Sequence, residues 1–313
     1  MPNAREYTPS LQRLPKSAVC TDLPRGRSTI TKKLADYAEL AKPRIAALAL
    51  FTVALGFTLA ADTRLDATLL ANALIGIGLV AISSTSLNQL FERDTDARMA
   101  RTANRPLPAG RLTVAEAATF GVAVGMIGTL WLLRVNGLTA ALALCTLLIY
   151  VLAYTPLKRR TAFCTSIGAV AGAMPPVLGW VAAGGKLDAM AACLFGILFF
   201  WQYPHFLAIG RLYQTEYDGA GLKMLPSAAV ARSVSILFAV ILIPVSLVPA
   251  FFGEAGNNYL VAAILLGSCY LAMAIRFAFL PDEKRARELI YTSLIYLPLL
   301  LLALLWSHAV VSS

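Results

Sequence analysis

Between residues 44 and 310 the chain is a succession of about nine apolar stretches, each close to the length that crosses a bilayer. A spanning helix needs about 20 mostly apolar residues. Windows that qualify fall at 44–61, 66–91, 114–133, 138–155, 161–183, 187–210, 230–252, 259–280 and 288–310. Only 14% of the 313 residues are charged while 58% are hydrophobic, and the mean hydropathy is +0.69. Too little polar surface remains to coat a soluble domain of this size. The expected fold class is therefore all-α: a polytopic membrane protein, a bundle of about nine transmembrane helices.

The net charge of +10 in such a chain signals basic loops on one side of the membrane, not nucleic-acid binding. Arg93, Arg98, Arg101, Arg105 and Arg111 follow the second window, and Lys158, Arg159 and Arg160 follow the fourth. Arg211 and Lys223 follow the sixth, and Lys284, Arg285 and Arg287 the eighth. The intervening loops are short and almost uncharged. The positive-inside rule then places the N-terminus in the cytoplasm and the C-terminus outside.

Residues 1–30 are polar, lack the apolar core of a secretory signal and are expected to be disordered. Residues 31–313 form the membrane domain. In 31–41, Leu34, Tyr37, Ala38 and Ala41 share a helical face beside lysines, the pattern of a helix on the membrane surface or of a plain polar lead-in. Cys20, Cys145, Cys164, Cys193 and Cys269 are scattered singly, which gives neither a disulfide framework nor a zinc site.

Against this background the stretch 88–108, NQLFERDTDARMARTANRPLP, is unusually ionic. At about 100° per residue, Asn88, Glu92 and Asp96 stack on one helix face while Asp94 points elsewhere. Carboxylates four residues apart repel unless a cation sits between them. One amide and two carboxylates form an all-oxygen set suited to Mg²⁺ and a phosphate-bearing substrate. A solvated helix end, with Asp94 facing Arg98 and Glu92 exposed, is the competing reading.

Other polar groups gather on the same side. Tyr154 and Lys158 share a face, and Lys158 and Arg159 can clamp a diphosphate, although Lys-Arg-Arg also serves topology. Gly168 and Gly172 predict close helix packing followed by a break at Pro175-Pro176, or else a widened cavity. The sixth window ends in Trp201-Gln202-Tyr203-Pro204-His205-Phe206 and leads to Glu216 and Tyr217. Ionisable groups in spans are costly, which makes His205 a candidate haem ligand or proton acceptor, against an ordinary hydrogen-bonded role. His308, near the outer end of the last window, reads as structural. The second and sixth windows both end in polar residues before a Leu-Pro turn, a hint of internal duplication.

Together these motifs resemble the UbiA-type intramembrane prenyltransferases, and within them the haem-farnesylating branch. The match rests on KPR at 42–44, NQLFERDTDARMARTANRPLPAGR, YTPLKRRT, GAMPPVLGW, WQYPHF and AGLKMLP, in that order. The resemblance implies a central cavity facing the cytoplasm and two acidic motifs holding Mg²⁺ and an isoprenyl diphosphate. The first maps onto Asn88, Glu92 and Asp96, with His205 as a further catalytic candidate. Arg93, Arg105, Lys158, Arg159 and Tyr154 become diphosphate-binding candidates; Gln202, Glu216 and Tyr217 fill the haem or second acidic position. It further implies farnesyl diphosphate and haem B as substrates, addition of water to the haem vinyl group, and residence in the bacterial inner membrane. A haem A-forming enzyme or terminal-oxidase assembly factor becomes a candidate partner. Cys164 departs from the pattern, where an asparagine is usual, and Glu216 replaces the commoner aspartate with its charge kept.

Two rival readings remain. A quinone-precursor prenyltransferase keeps the same metal site but lacks WQYPHF. A transporter also buries charges, but near the bilayer midplane rather than at one end.

Overall fold

Backbone polar groups in hydrocarbon are satisfied only within a helix or a closed barrel, and each apolar window here is helical. The computed structural model describes residues 30–61, 65–280 and 282–312. The expected disordered extension, with Cys20, lies outside the described residues. In order the helices are α1 (Ile30–Ala41), α2 (Pro43–Ala60), α3 (Ala67–Asp96), α4 (Val114–Leu132), α5 (Gly137–Leu148), α6 (Thr155–Leu157) and α7 (Cys164–Ala182). Then come α8 (Ala189–Leu212), α9 (Gln214–Gly219), α10 (Ala228–Phe251), α11 (Asn257–Phe279) and α12 (Glu283–Ser312). Among the described residues nine helical segments are long and apolar enough to cross a membrane, with α5 and α6 joined into one span, and the chain is a multi-pass membrane protein.

Cap chemistry fixes several helix starts. Asp66 accepts hydrogen bonds from the Thr68 and Leu69 amides at the head of α3, and Asp188 accepts from Ala191 N at the head of α8. Thr113 and Glu116 form a reciprocal capping box on α4. At its far end α3 runs beyond the expected limit of residue 91 and carries Glu92 and Asp96 as a rigid extension of the span. That continuity decides where the acidic side chains point.

Two apolar clusters flank a central pair of helices. One gathers α3, α4 and α5, the other α8, α10, α11 and α12, and α2 and α7 contribute to both. The pair α2 and α7 lies between them, and their backbones approach because both carry glycine at the crossing. A Cβ on Gly56 would stand 2.0 Å from the Pro176 carbonyl oxygen, and one on Gly179 would stand 1.9 Å from that of Val53.

The Gly168/Gly172 pair packs closely, as expected, but against side chains of the neighbouring helices. The space beside Gly168 is filled by the Tyr154 ring, and that beside Gly172 by the Gln202 amide. The break expected at Pro175-Pro176 is absent: α7 continues through both prolines to Ala182. Proline is tolerated inside spans because neighbouring groups re-satisfy the backbone it frees.

α1 is tied to the bundle rather than lying free. Gln89 Nε2 donates to Leu40 O at 2.8 Å, and Arg111 reaches Asp36 Oδ1 and Glu39 Oε2, each at 2.6 Å. Its protein-facing residues are Asp36, Leu40 and Tyr37, whereas Leu34 and Ala38 of the expected apolar face are exposed. A charged residue is thus on the buried side, since Arg111 arrives from another part of the sequence to meet it.

Candidate active site

Asn88, Glu92 and Asp96 project from α3 into one cavity of about 210 Å³, at the end of the bundle where α1 and the loops after α3, α6 and α8 meet. Each is already engaged by another element. Asn88 donates its side-chain amide to Thr155 Oγ1 at 3.0 Å, which fixes the plane of the group. Glu92 Oε1 lies 2.6 Å from Lys158 Nζ, and Asp96 Oδ2 accepts from Arg105 at 2.6 Å. The cations that relieve the carboxylate repulsion in this structure are therefore the protein's own. Asp94 turns outward and meets Arg93 at 3.3 Å, not Arg98 as the solvated-helix reading expected, and Glu92 is largely covered.

Lys42 completes the cationic rim. It is the non-glycine residue with positive φ among the described residues, at φ 49° between α1 and α2. A left-handed backbone at a lysine is uncommon, and here it turns the chain from α1 into a spanning helix at the cavity wall. Burial pushes the Lys42 amine down to about 8; Arg105 and Lys158 add to the shift, while Glu92 and Asp96 oppose it. Arg101 also lines the cavity and sits over the Tyr213 ring, 4.8 Å from its centroid.

The fourth span reaches the site through an irregular turn. Residues Ile149–Tyr154 form a π-helical segment, and Thr155 Oγ1 donates to Tyr150 O at 2.8 Å. Such segments shift the register of the residues beyond them and are frequent at functional sites. Tyr150, Tyr154 and Lys158 all line the cavity, with Lys158 Nζ 4.3 Å from the Tyr154 ring centroid. Arg159 does not enter that cavity. It donates to Thr95 Oγ1 at 2.6 Å and lines a second space on the other side of Glu92 and Lys158. Arg93 is exposed and lines neither.

α8 contributes different residues from those the sequence singled out. Phe206, Leu207, Ile209 and Gly210 form its cavity wall. Gln202 faces α7, where its amide donates to Ala169 O at 3.2 Å and to Leu198 O at 2.9 Å. His205 faces α12: Nδ1 is 2.6 Å from Ser293 Oγ, and the ring stacks on Trp201, whose Nε1 donates to Ser293 O. Beyond α8, Tyr217 lines the cavity, and the adjacent Glu216 holds a buried Oε2 without a hydrogen-bond partner. Cys164 is fully buried at the start of α7, with neighbouring Thr165 on the cavity wall instead. His308 pairs with Glu254 at 3.0 Å, far along the chain from these groups.

The loops after α3, α6 and α9 meet beside the site. Met99 packs with Ala220 and Leu222, and Lys223 N donates to Lys158 O at 2.8 Å. Lys42, Arg101 and Tyr150 were not singled out by sequence reasoning. For both the lysine and the tyrosine a signal existed: Lys42 is the lysine of KPR at the basic end of a span, and Tyr150 stands four residues before Tyr154, on the face that Tyr154 shares with Lys158.

Comparison with known proteins fits this arrangement. A family model described as the UbiA prenyltransferase family matches residues 49–297. A protein named protoheme IX farnesyltransferase from Solibacter usitatus is 43% identical over 281 residues, covering 85% of this chain and 96% of its own. One of the same name from Koribacter versatilis is 41% identical over 300 residues, covering 91% and 96%. Among solved structures, one described as concerning digeranylgeranylglyceryl phosphate synthase superposes with a TM-score of 0.76 at 18% identity, covering 88% of this chain and 99% of its own. A UbiA homolog from Archaeoglobus fulgidus bound to GPP and Mg²⁺ gives 0.60 at 16%, covering 86% and 99%. The chain belongs to the UbiA prenyltransferase family.

Proposed function

We propose that the protein transfers a farnesyl group from farnesyl diphosphate to a vinyl group of haem B, with addition of water, giving haem O. The observation that carries this reading is one cavity in which Asn88, Glu92 and Asp96 stand opposite Lys42, Arg105 and Lys158. Such a cavity is built for a polyanion whose charge grows as a bond breaks. The acceptor is drawn from the relatives that share about two-fifths of their residues with this chain and are named for protoheme IX.

The donor set fits Mg²⁺. An oriented side-chain amide and two carboxylates from one helix face supply only oxygen ligands, as a hard ion requires. When bound by Asn88, Glu92 and Asp96, the ion would supply neutralising charge to the departing diphosphate. A UbiA homolog solved with GPP and Mg²⁺ supports the same pairing.

The chain's own groups account for the rest. Lys158 and Arg105 exchange their carboxylate partners for the diphosphate, and Lys42 adds a third charge. The carbon–oxygen bond of the prenyl diphosphate breaks with its electron pair leaving on the diphosphate. The rings of Tyr150 and Tyr154 line the cavity in which the allylic cation forms, and Phe206, Leu207 and Ile209 add apolar wall beside it. The haem vinyl group then attacks, water adds to the resulting cation, and a proton is lost. Farnesyl diphosphate, haem B and water thus balance haem O, diphosphate and a proton.

In this reading the protein sits in the inner membrane with its N-terminus and the site in the cytoplasm. α1 rests at that surface, with Ile30 and Leu34 exposed towards lipid. A haem A-forming enzyme or terminal-oxidase assembly factor would take up the product.

The test incubates purified protein in detergent with haem B, farnesyl diphosphate and Mg²⁺, and separates extracted haems by liquid chromatography and mass spectrometry. A haem heavier by one farnesyl and one water supports the proposal. Prenylation of 4-hydroxybenzoate with no new haem would move the protein to a quinone-forming role.

A further inference from the structure

A second cavity adjoins the first and is not used by the proposed reaction. It measures about 230 Å³, close to the 210 Å³ of the first, so it is large enough for the same head group. Glu92, Thr95, Lys158 and Leu222 line both, so the two cavities adjoin across these side chains. On the far side the positive charges run outward. Lys158 is buried where the cavities adjoin, while Arg159 and Arg160 are exposed at the mouth. Arg159 is held in place by Thr95 Oγ1 at 2.6 Å and by Phe91 O at 3.4 Å. Arg160 makes no ion pair or side-chain hydrogen bond among the described residues.

Topological positive charge explains why basic residues follow the fourth span. It does not explain why one of them is fixed against α3 beside a cavity shared with the reacting groups. Bond breaking leaves a highly charged, strongly hydrated diphosphate in the first cavity. The apolar walls that suit a prenyl tail and a haem are a poor exit for it, and Met99 and Leu222 add further apolar surface to the first cavity.

We infer that the second cavity is a diphosphate-binding site on the product's way out: inorganic diphosphate passes Lys158 and is held by Arg159 and Arg160 before release to water. The inference rests on the first cavity holding a prenyl diphosphate. Successive cations beside a polyanion lower the cost of moving it between sites, as in other electrostatically lined channels.

The test uses purified full-length protein saturated with Mg²⁺ and farnesyl thiodiphosphate, a slowly cleaved substrate analogue, and follows inorganic diphosphate binding by calorimetry. Wild type is expected to bind inorganic diphosphate while the analogue stays in place. Arg160→Glu should weaken that binding by up to about fivefold, the upper end expected for one exposed charge pair. Affinity for the analogue should change by less than about 1.5-fold in the same variant, so that the loss is selective for inorganic diphosphate, and its binding also reports that the variant is folded. Purely competitive binding, with none at saturating analogue, overturns the inference and leaves the first site intact. Equal weakening of both ligands also overturns it, since Arg160 would then act only through the general potential. Failure of the analogue to bind wild type removes the proposed function, and with it any product for the second cavity to receive.

Discussion

Glu92 Oε1 and Lys158 Nζ stand 2.6 Å apart although two complete spans separate them in sequence. Their side chains are only 14% and 10% exposed, so the pair joins α3 to the end of the fourth span through a largely dry contact. Removing one partner from such a pair leaves an uncompensated charge and costs about 3–5 kcal/mol. Lys158→Met should therefore lower the melting temperature in detergent more than the double variant Glu92→Gln/Lys158→Met. A double variant as unstable as the single one would show that the pair carries no such coupling.

Metal dependence should map to the same face. Chelation with EDTA is expected to abolish turnover and added Mg²⁺ to restore it. Glu92→Gln and Asp96→Asn should each lower kcat by about 10²–10³, the usual effect of losing one group that stabilises developing charge. Arg93→Gln, on the exposed side of α3, should stay within about threefold of wild type. Turnover measured by diphosphate release checks all four.

Lys42 predicts a pH effect of definite sign. Its amine, lowered to about 8 by burial, is charged below that pH and neutral above it. A diphosphate prefers the charged form, so binding takes up a proton above pH 8. Affinity for a prenyl diphosphate should then weaken as pH rises from about 7.5 to 9.5, approaching tenfold per unit. Lys42→Met should bind more weakly at pH 7 and show a flatter profile. An unchanged slope in that variant would assign the titration to another group.

Glycine at two positions is a steric requirement. Alanine at Gly56 would drive a methyl to 2.0 Å from a backbone carbonyl of α7, and the rigid crossing has nowhere to move. Overpacking of this kind costs about 1–3 kcal/mol, so Gly56→Ala should melt earlier than Gly137→Ala, where nothing lies within 4 Å. Gly168→Ala instead displaces the Tyr154 ring, which lines the cavity. That variant should raise KM for the prenyl diphosphate more than it lowers thermal stability.

His205 should behave as a partner of Ser293. The 2.6 Å contact and the stacked Trp201 place it between α8 and α12. In a double-mutant cycle, His205→Gln and Ser293→Ala should couple by about 1 kcal/mol in stability. Loss of turnover in His205→Gln with unchanged melting, and no coupling to Ser293, would instead mark a direct role in the chemistry.

The sequence by itself determined the parts that follow from local rules. Hydrophobic length gave the spans, since a bilayer accepts little else. Helical periodicity placed Asn88, Glu92 and Asp96 on one face, because α3 is regular through that stretch. What periodicity cannot supply is the partner across space. Only the tertiary structure decided that Lys158 and Arg105 occupy the two carboxylates, and that Arg159 lines the adjoining cavity while Lys42 lines the first. It also turned Gln202 and His205 away from the cavity, towards α7 and α12. On a helix buried on several sides, every face is apolar enough to be a core face. Which of them meets the ligand is set by the neighbours, and those come from distant sequence. The π-helical turn at 149–154 adds a further shift of register, stabilised by Thr155 and by the contact of Tyr154 with Gly168, that no local rule foretells.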